Sequence, residues 1–67
     1  MSYTATVRIW SKGQALLLKT EIQCTGPDDA FNKVAVLKAQ TPGAYACHYY
    51  MPEYPNHNLK ERYCHYG

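Results

Sequence analysis

YTATVRIWSKGQALLLKTEIQC, residues 3–24, decides the fold, because apolar and polar side chains alternate on both sides of a single turn signal. Over residues 3–10, Tyr3, Ala5, Val7 and Ile9 point one way and Thr4, Thr6, Arg8 and Trp10 the other, the period of a half-buried strand. Over residues 15–24, Leu16, Leu18, Thr20, Ile22 and Cys24 share one face. Between them SKGQ contains Gly13, the residue best able to take a positive φ in a tight turn. A two-residue loop at Lys12 and Gly13 then pairs Ile9 with Leu16, Val7 with Leu18, Ala5 with Thr20 and Tyr3 with Ile22. Every apolar residue of the first strand meets the matching face of the second, and a slip of one residue would turn those faces apart.

TGPDDAFNKVAVLKAQTPG, residues 25–43, predicts one helix with a marked start and stop. Pro27 suits a first turn, and Asp28 and Asp29 complement the positive end of the helix dipole. Ala30, Phe31, Val34 and Leu37, with Ala35 at the margin, form the apolar stripe, and Lys33 and Lys38 lie off it. Pro42 and Gly43 end the helix. AYACHYYM, residues 44–51, predicts a third strand with Tyr45, Cys47, Tyr49 and Met51 turned to the helix and Ala46, His48 and Tyr50 turned away.

The prolines and asparagines of PEYPNHN, residues 52–58, mark a loop. LKERYCHY, residues 59–66, is read as a fourth strand, with a short helix from Asn58 as the alternative. The predicted architecture is α+β: a two-layer β-β-α-β(-β) domain with one antiparallel sheet and a single helix packed on one face. Residues 1–67 form one domain, with its core in 3–51 and a Tyr/Pro-rich segment in 52–67.

Such a layout leaves the second sheet face open. The register above puts Arg8, Trp10, Leu17, Lys19, His48 and Tyr50 on it, and these are the candidate partner-binding residues. Leaving a large aromatic in water forgoes about 1.5–3 kcal/mol of burial, so something is expected to cover Trp10. One reading has the C-terminal segment fold back over it. The other has a partner cover it, since Trp, Tyr and Arg dominate interface hot spots. Nucleic acid is an alternative partner, with Trp10 stacking on bases while Arg8, Lys12 and Lys19 meet phosphates. The net charge of +2 and the interposed Glu21 favour a protein instead. Homodimerisation through an exposed edge strand or this face is a third use.

Composition narrows the remaining classes. The chain has 67 residues, too few for a roomy substrate pocket, and its five carboxylates form no acid–base pair beyond the helix-start aspartates. No glycine-rich phosphate loop is present, so no enzyme activity and no cofactor are expected. Cys47, His57 and Cys64 are the first ligands a metal would find, with His48 and His65 adjacent in sequence. Their spacing fits no zinc motif, and no metal is expected. The opening residues lack a basic start and an apolar run, so no signal peptide or membrane association is expected and the location is read as cytoplasmic. The three cysteines are then free thiols, with a bridge between Cys24 and Cys47 the one disulfide left open.

YTATVRI at residues 3–9, GPDDAFNKV at 26–34, TPG at 41–43 and a closing MP at 51–52 together resemble the small phage T7-type inhibitors of host RNA polymerase, a ββαβ family. The likeness spans residues 3–52. It implies a compact phage protein that takes over a host by binding and inhibiting or modulating a larger host enzyme, the transcription machinery in that family. The arginines with which the family's third strand holds the polymerase have no counterpart in CHYYM, residues 47–51, where His48 and Tyr50 stand in the matching region. No residue role is therefore carried over.

Overall fold

Alternation around the turn becomes two long strands, and the helix signals between Thr25 and Gly43 become one helix. The computed structural model describes residues 2–65. It contains β1 (Tyr3–Ser11), β2 (Leu16–Cys24), α1 (Pro27–Gln40), β3 (Ala44–Tyr50) and β4 (Glu61–His65). The strands form one open antiparallel sheet in the order β2-β1-β3-β4, with α1 across one face, an α+β fold of order ββαββ. No helix among the described residues is long and apolar enough to cross a membrane.

β1 is paired on both sides and supplies the centre of the core. Ala5, Val7 and Ile9 are each fully enclosed. They pack with Cys24, Ala30, Val34, Cys47, Tyr49 and Met51 between sheet and helix. The buried Tyr49 keeps its hydroxyl near polar company by donating to the Pro27 carbonyl at 3.4 Å, which ties the helix start to β3. Burial pushes the Tyr49 phenol above its ordinary range.

The hairpin keeps the predicted faces but not the predicted register. Ile9 stands opposite Leu18, Val7 opposite Thr20, Ala5 opposite Ile22 and Tyr3 opposite Cys24, a shift of two residues along β2. The turn is longer than two residues: Gln14 N–H donates to Ser11 O and Ser11 N–H to Ala15 O, both at 2.9 Å. Gln14, not Gly13, takes the left-handed conformation, at φ 66°. This is the three-residue hairpin loop in which the last position is left-handed. That loop alone would reverse the faces. A β-bulge between Ile9 and Trp10 reverses them again by leaving Leu17 without an opposite residue. Faces differ from the expected ones only between the two irregularities, where Leu16 stands opposite Trp10 instead of opposite Ile9.

The helix begins as its sequence promised. Pro27 occupies the first turn, and the Asp29 carboxylate accepts the Thr25 N–H and the Lys33 ammonium, both at 2.9 Å. These two partners, Lys33 first, hold the Asp29 carboxyl below the ordinary carboxylate range. The helix face is rotated from the expected one. Ala30, Val34 and Lys38 are buried at i, i+4 spacing, while Phe31 is exposed with the Arg62 guanidinium 5.0 Å from its ring centre. Lys38, assigned to the polar side by its charge, is only 4% exposed. Its four-carbon stem lets it serve as an apolar filler toward the sheet.

Within the stretch read as strand or helix, Glu61–His65 form a strand. The loop before it turns at Asn56, whose carbonyl accepts Leu59 N–H and whose side chain accepts Asn58 N–H. Met51 N–H then bonds Lys60 O at 2.8 Å, and β4 runs back along β3. Tyr66, part of the stretch read as strand, lies outside the described residues. Cys24, Cys47 and Cys64 are free. Cys24 packs against the Met51 sulfur at 3.3 Å, and Cys47 stands opposite Cys64, so the bridge left open between Cys24 and Cys47 does not form.

Two substitutions test the turn. Gln14→Gly removes a left-handed side chain and should stabilise the protein by about 0.5–1 kcal/mol. Gly13→Ala meets only Ser11 Oγ at 3.8 Å and should stay within about 0.5 kcal/mol of wild type in urea unfolding. In the helix, Asp29 supports the first turn only while ionised. That support is full above the unfolded carboxylate pKa and is lost as pH falls through the depressed folded value. Amide protection factors at residues 25–30, with the intrinsic pH dependence of exchange divided out, should therefore fall at acid pH in wild type and lose this fall in Asp29→Asn.

Candidate functional site

The face opposite the helix is organised by cross-strand rungs that β1 sets. One rung runs Glu21, Thr6, Tyr50, Glu61 across the four strands. The next runs Lys19, Arg8, His48, Tyr63. The third runs Leu16, Trp10, Ala46. Acidic, basic and apolar chemistry thus follow one another along β1. Residues directly opposite in an antiparallel pair interact most strongly, so these rungs are the structural units of the face.

Trp10 occupies an irregular place on both sides. β2 bulges at Leu17 beside it, and β3 also slips, since Trp10 stands opposite Ala46 while Ser11 stands opposite Ala44. Tyr45 is the residue left over. A bulge bends its strand and re-aims a side chain, and here it brings Tyr45 to the Trp10 end of the sheet. Trp10, Ser11, Lys12, Gln14, Tyr45, Ala46 and Tyr63 line an open groove of about 490 Å³. Its walls are aromatic, and a lysine stands at its mouth.

The candidate residues fall into distinct environments. Trp10 and Arg8 are half-buried, Lys19 is exposed, and Leu17 and Tyr50 are exposed at 40% and 37%. His48 is enclosed at 5%. β4 covers it: the Tyr63 ring stacks on the imidazole with centroids 4.2 Å apart, and Glu61 Oε1 lies 2.7 Å from Nε2. Tyr63, 60% exposed, presents the surface that His48 was expected to present. Among the described residues the C-terminal segment does fold back, with Tyr63 stacked on His48 and also lining the groove that holds Trp10. The Trp10 ring is 6.4 Å from the imidazole and remains on the groove wall.

Tyr45, Tyr63 and Leu16 are groove or rung residues that the sequence pattern did not single out, whereas Lys12 was expected beside Trp10 and does line the groove. Alternation put Tyr45 and Leu16 on the helix side, and only the bulges move them. Tyr63 had a signal in its alternation with Cys64 across residues 61–65, but its rung depended on the register of β4 against β3.

Cys47 and Cys64 face each other on the helix side of the sheet, whereas His57 lies in the exposed loop. Among the described residues no group of three His, Cys, Asp or Glu side chains could hold a metal ion. Burial, with a smaller contribution from the neighbouring Cys64, pushes the Cys47 thiol up to about 11. Cys47 is consequently a protonated packing residue at neutral pH.

His48→Ala removes both the ring stack and the contact to Glu61, and should cost about 1–3 kcal/mol with faster amide exchange confined first to residues 61–64. Trp10 is the sole tryptophan, so fluorescence reads its environment directly. Acrylamide should quench its emission in the folded protein, with a smaller constant than in urea. No protein-family model, curated protein or solved structure matches this chain.

Proposed function

We propose that this protein is a small non-enzymatic binding domain that captures a larger protein through the Trp10 end of its open sheet face, and that its capture inhibits or modulates that partner. The observation that carries the reading is the half-buried Trp10 in a groove shared with Tyr45, Tyr63 and Lys12, outside the core. Tryptophan and tyrosine walls supply rigid contact area at low entropic cost, and such anchors dominate binding energy. Lys12, Arg8 and Lys19 lie on or next to this area, so the complementary surface is an apolar side chain flanked by carboxylates.

The resemblance of residues 3–52 to phage inhibitors of host RNA polymerase supplies the first target to try. In that reading the protein acts in the host cytoplasm. Nucleic acid remains the alternative partner for the same face. The acidic rung of Glu21 and Glu61 adjoins the basic one and repels a phosphate backbone, which favours protein.

The test uses purified bacterial RNA polymerase and immobilised wild-type protein, with Trp10→Ala as the comparison. Binding that Trp10→Ala weakens by tenfold or more, at unchanged thermal stability, supports the reading. Equal binding by both proteins would remove Trp10 from it. Oligonucleotide binding with a steep log–log salt slope would transfer the site to nucleic acid.

A further inference from the structure

β2 is an edge of the sheet, and among the described residues no strand lies along its outer side. A long unpaired edge is a ready template for another strand. The Leu17 bulge interrupts it at one end, and at the other the Lys33 ammonium is bonded to the Gln23 carbonyl at 2.6 Å. Residues 18–22, Leu-Lys-Thr-Glu-Ile, are the regular stretch between these limits.

We propose that this stretch pairs antiparallel with the same stretch of a second copy, about a two-fold axis at Thr20. Strands related by such an axis must bring residues of the same face together, so the register can move only in steps that preserve parity. Centring on Thr20 sets Lys19 opposite Glu21 of the second copy, twice by symmetry, and Leu18 opposite Ile22, also twice. Moving the centre to Lys19 sets two lysines face to face, and moving it to Glu21 sets two glutamates face to face. The sequence therefore selects one register and opposes its neighbours.

The isolated chain leaves these charges uncompensated. Lys19 stands directly opposite Arg8, a like-charge pair. Among the described residues neither Lys19 nor Glu21 has an ion-pair partner within 4.0 Å; the salt bridges join Lys33 with Asp29 and His48 with Glu61. Glu21 of the second copy supplies the missing anion beside Arg8 and Lys19. The helix side offers matching apolar surface: Ile22, Val36 and Leu37 border an open groove along β2, with Val36 56% exposed. Leu18 of the second copy, placed opposite Ile22, extends the apolar layer there.

None of residues 18–22 lines the Trp10 groove, so the dimer displays two grooves on one continuous sheet. A partner with two sites would be held with avidity. The dimer does not depend on what occupies the groove.

Sedimentation equilibrium tests it at low salt. The chain mass is 7.7 kDa, and wild type should approach twice that value as concentration rises. Lys19→Glu and Glu21→Lys should each raise the dimer dissociation constant by about tenfold or more, since each sets like charges opposite. Lys19→Glu places its carboxylate opposite Arg8 within the chain and should leave the fold intact. An equimolar mixture of the two variants restores both opposite-charge pairs and should dimerise again. Wild type remaining at 7.7 kDa up to about 1 mM would overturn the proposal, as would single variants that dimerise like wild type.

Discussion

β1 is the constraint on which everything else rests. It is paired on both edges, it contributes three fully enclosed side chains to the helix side, and its alternate residues define every rung of the open side. A strand so placed cannot slip by one residue without exposing Ala5, Val7 and Ile9 and burying Thr4, Thr6 and Arg8. Irregularity is therefore admitted only at its end, where β2 bulges at Leu17 and β3 slips at Tyr45. The three-residue loop and the Leu17 bulge compensate each other: each reverses the faces of β2, and together they restore them.

Trp10 sits where that compensation happens. Because the bulges of β2 and β3 flank its rung, the sheet end carries Leu16 on one side of the indole and opens toward Tyr45 on the other. Bulged sheet margins are common places for binding residues because they aim side chains that a regular pleat would send elsewhere. The open face is also zoned, with an apolar end, a basic middle and an acidic far rung. Such zoning gives orientation to a docking protein more readily than it tracks a uniformly charged polymer.

Much of this could be read from the residues alone. The alternation of β1, the helix limits at Pro27 and Pro42 and the facing of Cys47, Tyr49 and Met51 all follow from local periodicity. So did the existence of an open face bearing Trp10 and Arg8. The register was not legible, because parity is preserved by a shift of two and Gly13 offered a simpler turn than left-handed Gln14. Lys38 looked polar by charge, though its stem packs inward at the i, i+4 spacing of Ala30 and Val34. His48 looked exposed because its cover, Tyr63, comes from a strand whose pairing is non-local. Tyr45 joined the wrong face since a bulge leaves no mark in hydropathy.

The irregular rung at Trp10 is open to direct measurement by nuclear Overhauser contacts in solution. Cross-strand backbone contacts should join Trp10 to Leu16 and to Ala46, and Ile9 to Leu18 and to Cys47, with Leu17 and Tyr45 lacking an opposite residue. Contacts joining Ile9 to Leu16 and Val7 to Leu18 would instead reveal an uninterrupted two-residue hairpin, and with it the loss of the bulge that sets Leu16 beside Trp10.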